Sequence, residues 1–292
     1  MRSSNPFMSS LTKAEGAQQG QRGASAAYQQ GYQSAGEQWG QQDQQGMAYQ
    51  QSPNYGAPTK ASDRPMTIDD VVTKTGITLA VIVVLAAVNF MIGQTSPGLA
   101  MGLTLVGAIG GLVAVLISSF GKKYGSPVVT LVYAAFEGLF VGGFTYMFTD
   151  MTVGGANAGS LIFQAVLGTI GVFAGMLVVY KTGAIRVTPK FTKMLVGAMI
   201  GVLVLVLGNF VFTLFTGEPT MLRDGGPIAI IFSLVCIVLA ALSFLADFDQ
   251  ADKLIRAGAP SRYAWGVALG LAVTLVWLYT EILRLLSYLN QD

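Results

Sequence analysis

The chain has 292 residues, 52% of them apolar and 11% charged, with 17 Lys and Arg against 15 Asp and Glu and no histidine; its mean hydropathy is +0.57. A soluble domain carries about 25% charged residues, so this chain cannot clothe a water-facing surface of its own size, and the membrane is its expected solvent. The single cysteine, Cys236, excludes a disulfide framework and a Cys-based zinc site, and the missing histidines leave carboxylates to carry any proton or metal chemistry.

Residues 1–65 form the first region. From Gln18 to Gln51 they are rich in Gln, Gly, Ser and Ala, with Tyr28, Tyr32, Trp39 and Tyr49 spaced through them. Too few aliphatic residues are present to offset the entropy of ordering, so a disordered tail is expected. Gln-rich tracts with spaced aromatics also self-associate weakly, which leaves a docking role open. No stretch of roughly 7–15 apolar residues precedes residue 65, so no secretory signal peptide is read and the first membrane helix is expected to act as its own signal. Pro53, Pro58 and Pro65 mark the exit from the tail.

The second region, 66–292, starts with a helix signal. Thr67 can cap an N-terminus, and Asp69 and Asp70 fall in the first turn, where the helix dipole favours anions. Seven apolar runs follow, each near the ~20 residues that cross a bilayer. They lie at about 76–93, 98–120, 127–148, 159–180, 194–215, 227–247 (or on to 257) and 263–288. Turn residues break them, among them Ser96-Pro97-Gly98, Gly125-Ser126-Pro127 and Gly258-Ala259-Pro260. The runs are continuous rather than alternating, which excludes a β-barrel. The expected fold class is all-α, a polytopic bundle of seven transmembrane helices.

Basic residues set the expected topology. The 2–3, 4–5 and 6–7 loops carry nine (Lys122, Lys123, Lys181, Arg186, Lys190, Lys193, Lys253, Arg256 and Arg262), whereas the other three loops carry only Arg223. The N-terminus is therefore read as cytoplasmic and the C-terminus as outside. Gly107, Gly110 and Gly111 in the second span, and Gly168, Gly171 and Gly175 in the fourth, have the spacing of close helix packing.

Few ionisable residues fall within the spans: Glu137, Asp247, Asp249, Glu281 and Arg284. A charge at membrane depth costs several kcal/mol unless it is paired or wet, so each is a functional candidate. Glu137 lies about ten residues into its span, ~15 Å deep, and reads either as a protonated structural group or as part of an ion pathway. Asp249 and Asp252 also read as polar residues at a helix end. Arg284 follows Glu281 by three residues, on the same helix face, so it is the candidate ion-pair partner of Glu281. Two carboxylates in a low-dielectric bundle share a proton, which would sense pH without histidine. Their oxygens also suit Ca²⁺, so the same pair would bind H⁺ or Ca²⁺ in competition.

Three motifs resemble the Bax inhibitor-1 family. "SPVVTLVYAAFEGLFVGGFT" (Ser126–Thr145) is similar to its third-helix signature through Pro127, Tyr133, Glu137 and Gly138. "DFDQ" (Asp247–Gln250) resembles the end of its sixth helix, and "LYTEILRLLSYL" (Leu278–Leu289) resembles its last helix. The start "MRSSNP" and the long tail look like the actinobacterial, YccA-like branch. The resemblance implies a bundle with the last helix at its centre in the bacterial plasma (inner) membrane. It implies a pH-sensitive calcium leak channel whose sensor pairs a carboxylate of helix 6 with one of helix 7. Carried over by motif, that is Asp247 or Asp249 with Glu281, and Asp247 and Glu281 are the implied Ca²⁺ ligands. The helix-7 residue is Glu where the family usually has Asp. The alternative function it implies is a non-channel adaptor that regulates a membrane AAA protease.

Asp247 and Glu281 are 34 residues apart. A turn at Pro260 would leave them about 12 Å out of level, and Glu137 would then be the better partner for Asp247; a turn near Ala264 would level them. No enzyme activity is expected. No Gly-x-Ser-x-Gly motif appears, the last span has no Schiff-base lysine, and no inverted pair of broken helices points to a secondary transporter. No cofactor is expected beyond Ca²⁺ as a permeant or bound ion. The bilayer, H⁺ and Ca²⁺ are the expected partners, and no basic surface with aromatics suggests nucleic acid.

Overall fold

Long apolar runs can satisfy their backbone hydrogen bonds in lipid only by coiling into helices, and in the computed structural model they do. The structure describes residues 64–290 except 122, 154–157, 218–219, 221 and 223. Those residues fall within one unit, Gly56–Asp292. The stretch read as a disordered tail lies outside the described residues, apart from Arg64 and Pro65.

Among the described residues seven α-helices follow one another: α1 Ile68–Thr95, α2 Pro97–Phe120, α3 Pro127–Val153, α4 Ala158–Thr182, α5 Pro189–Thr216, α6 Pro227–Arg256 and α7 Ala264–Leu289, the last preceded by a 3₁₀ turn, Ser261–Tyr263. Each contains a stretch long and apolar enough to cross a membrane. Proline opens α2, α3, α5 and α6, where its missing N–H is no loss and its fixed φ suits the first turn. α6 runs to Arg256, the longer of the two expected lengths.

The first helix starts earlier than the apolar run. Thr67 caps it, and the capping box is complete: the Asp70 N–H donates to Thr67 Oγ1 at 3.3 Å, and the Thr67 N–H donates to Asp70 Oδ2 at 3.1 Å. Arg64 adds two bonds to the same carboxylate, at 2.7 and 2.8 Å. Residues 64–66 lie antiparallel to the α6–α7 loop: the Met66 N–H donates to the Ala259 carbonyl and the Ser261 N–H to the Arg64 carbonyl, each at 2.8 Å. Lys74 donates to the Ser261 carbonyl at 2.6 Å and lies over the Trp265 ring. Thr67→Ala is expected to lower stability by about 1 kcal/mol, read from thermal unfolding of the purified protein in detergent.

The last helix is the axis of the bundle. α1, α3, α4 and α6 all pack on it. In its most apolar window 67% of the residues are buried, against 11% in α4 and in α5. Phe244, Leu278 and Leu283 are among the fully buried residues around it. The outer faces of α2, α4 and α5 carry exposed Leu, Ile, Val and Phe side chains, which in a bilayer meet acyl chains.

Close packing is uneven. Gly107 of α2 sits so near α3 that a Cβ there would come within 2.6 Å of the Phe136 carbonyl oxygen, and Gly110 and Gly111 also face α3. Gly168 of α4 only touches Ile282, and Gly171 and Gly175 face open space. The expected close packing therefore holds for the second span and not for the fourth.

Candidate functional site

Helix lengths and the position of the loop decide which polar groups meet. The α6–α7 turn centres on Pro260. Asp247 lies nine residues before the end of α6 and Thr274 ten residues after the start of α7, each about 14–15 Å along its helix. The two are level, and the Thr274 hydroxyl donates to Asp247 Oδ2 at 2.7 Å. Gly270, one turn before Thr274, has no side chain to stand over the other oxygen; a Cβ there would be 4.0 Å from Asp247 Oδ1.

Glu281 is seven residues beyond Thr274, about 10 Å farther along α7. It accepts a hydrogen bond from Arg284 in a buried ion pair within the helix. The structure therefore does not bring Asp247 and Glu281 together, either as a proton-sharing pair or as a pair of Ca²⁺ ligands. The Pro260 apex is the reason, because it fixes a register in which Asp247 meets a threonine. Asp249 also does not reach Glu281: Lys253 binds it at 2.5 Å, one turn on. Asp252 is bound by Arg256 at 2.9 Å and by the Tyr180 hydroxyl at 3.4 Å. Among the described residues, no cluster of three or more Cys, Asp and Glu has the arrangement to hold a metal ion.

Glu137 lies ten residues into α3, at the depth of Asp247 and Thr274. Its Oε2 abuts Gly111 of α2, where a Cβ would approach to 2.8 Å. No hydrogen bond joins Glu137 to Asp247 among the described residues. One turn before it, the Tyr133 hydroxyl is buried with no hydrogen-bond partner among the described residues.

Asp247 faces a cavity of about 330 Å³ walled by α2, α6 and α7. Val115, Ser118 and Ser119 form the α2 side, and residues between Gly266 and Thr274 form the α7 side. Tyr124 and Gln250 line the end nearer the α2–α3 loop, and Gln250 Nε2 donates to the Tyr124 hydroxyl at 3.2 Å. The Tyr124 ring approaches α7 closely at Gly266; a Cβ there would stand 2.6 Å from the ring. Burial pushes the Tyr124 hydroxyl up to about 12, and the nearby Asp247 charge adds to this against the opposing Gln250 hydrogen bond. Tyr124 is thus a neutral hydroxyl at ordinary pH.

Reading charged residues alone misses three of the polar contacts. Thr274 is the first; its signal is its distance from Pro260, which mirrors that of Asp247. Tyr124 with Gln250 is the second. The third is Asn89 of α1, which is fully buried and donates to the Leu139 carbonyl at 2.6 Å and to Thr104 Oγ1 at 3.2 Å, tying α1 to α3 and α2.

Seven membrane-length helices, the last of them buried among the others, with a carboxylate-bearing cavity beside it, define a polytopic α-helical membrane protein. The chain belongs to the Bax inhibitor-1 family: the family model described as Bax inhibitor 1 like matches residues 5–291. A comparison with curated proteins found no match.

Proposed function

We propose that this protein is a pH-sensitive cation leak channel of the bacterial plasma membrane, with Ca²⁺ as its permeant ion and Asp247 as its controlling carboxylate. The N-terminus and the basic loops then face the cytoplasm and the C-terminus faces outside, an orientation supported by the Lys and Arg distribution. On this reading the protein moves ions and turns over no substrate.

The observation that carries the proposal is the state of Asp247. Asp249, Asp252 and Glu281 are each neutralised by a basic partner. Asp247 has a hydroxyl partner instead and faces a cavity. An intramembrane carboxylate with no counter-ion among the described residues, beside a cavity roomy enough for water, suits a hydrated cation path. Its oxygens are the hard ligands that Ca²⁺ prefers. Protonation removes the negative charge that attracts the cation, which couples flux to pH.

The test is Ca²⁺ flux in proteoliposomes between pH 5 and 8. Wild-type flux is expected to change with pH. Asp247→Asn, which imitates the protonated carboxylate, is expected to hold flux at the wild-type acid-side value throughout. A variant with the same flux and pH dependence as wild type overturns the proposal.

A further inference from the structure

The partner of Asp247 is a hydroxyl, and a hydroxyl has one proton to give and two lone pairs to receive with. Thr274 Oγ1 has two acceptors in reach: Asp247 Oδ2 at 2.7 Å and the Gly270 carbonyl, one turn back, at 3.3 Å. While Asp247 is ionised, the charged acceptor wins the proton, because hydrogen bonds to a charged group are about twice as strong as neutral ones. When Asp247 takes up a proton from water in the cavity, its new O–H needs an acceptor. Thr274 Oγ1 stands in place to receive it, and turning the threonine O–H to the Gly270 carbonyl keeps both the new carboxyl O–H and the threonine O–H paired. One proton enters from water, two hydrogen bonds are re-aimed, and no covalent bond apart from the carboxyl O–H is made.

We propose that Thr274 is the positioning residue of the proton site, a two-way hydrogen-bond switch between Asp247 and the Gly270 carbonyl that makes the site bind a single proton rather than titrate as a coupled carboxylate pair. This rests on the reading of Asp247 as the controlling carboxylate and specifies how it works.

The surroundings support a one-proton site. Among the described residues, α2 lines the cavity with the Ser118 and Ser119 hydroxyls and Val115, and the α2–α3 loop lines it with the neutral Tyr124. On α6 the neighbour one turn on is Gln250. Asp249 is held by Lys253. On α7 no ionisable residue lies between Gly266 and Thr274, and Glu281 is held by Arg284. From α3, Glu137 is level with Asp247 but abuts Gly111. Of the helices packed on α6, α4 presents Tyr180, held by Asp252, and α5 meets it through Met199 against Ser243.

The test is infrared difference spectroscopy of the full chain in lipid nanodiscs, titrated with acid. The band that Asp247→Asn abolishes reports the Asp247 carboxyl. In wild type it is expected to grow in one step with a Hill slope of about one. Thr274→Ser keeps the hydroxyl and should preserve both the slope and the band position. Thr274→Val and Thr274→Ala remove the acceptor, so the protonated carboxyl band should move to higher frequency. Thr274→Asp should turn the single step into two separated steps. A two-step wild-type titration, or a band that stays in place in Thr274→Val or Thr274→Ala, overturns the switch. Flux in the same nanodisc-derived liposomes separates the two proposals. A wild-type flux that ignores pH while the band behaves as described overturns the channel reading alone.

Discussion

Glu281→Gln is expected to destabilise the bundle by about 3 kcal/mol, because it strands the Arg284 guanidinium. Arg284 and Glu281 are 5% and 6% exposed and form an ion pair within one helix. The Nε of Arg284 already lacks a partner among the described residues, so little is in place to take over from the carboxylate. Removing one member of a buried pair leaves an uncompensated charge, which is worse than removing both. The double variant Glu281→Gln, Arg284→Gln should therefore recover much of the loss. Unfolding by SDS titration in bicelles checks both. A single variant as stable as wild type would mean that the pair contributes nothing. The same reasoning bears on flux assays: a Glu281 variant that loses activity reports loss of the fold as readily as loss of a proton site.

Gly138→Val is the second large effect. α1 and α3 pack tightly against each other, and a Cβ at 138 would stand 2.7 Å from the Ile82 carbonyl oxygen and 2.8 Å from Leu85 Cβ. The first of these neighbours is backbone and cannot rotate aside, so the helices must separate. A loss of about 3 kcal/mol is expected, visible as lower yield of folded protein and a lower melting temperature in detergent. Gly171→Ala is the control. Nothing lies within 4 Å of a Cβ there, so the same kind of change on a lipid-facing helix should leave stability within about 0.5 kcal/mol of wild type. If both variants melt like wild type, close approach at Gly138 is not a constraint on the fold.

These contrasts separate local signals from tertiary ones. Glu137, Asp247, Asp249, Glu281 and Arg284 could all be singled out in the sequence, because a charge in an apolar run is conspicuous by itself. Their partners could not all be read in the same way. The Glu281–Arg284 pair is local, three residues apart on one helix, and the spacing shows it. The Asp247–Thr274 contact joins two helices, and its register depends on where the chain turns. With the apex at Pro260 rather than four residues later, a threonine rather than Glu281 stands opposite Asp247. The glycines follow the same division. Their spacing is alike in α2 and α4, yet only those of α2 meet another helix.

The sequence by itself determined the solvent, the seven spans, the Thr67 cap and the short list of intramembrane charges. These depend on composition and on neighbours within one turn or one helix. The tertiary structure decided that α7 lies at the centre, which glycines are crowded, and that Asp247 faces a cavity with Thr274 as its partner. Those outcomes depend on how each helix is rotated and how far it slides past the next. Hydropathy cannot encode this, because in lipid the inner and outer faces of a helix are nearly equally apolar.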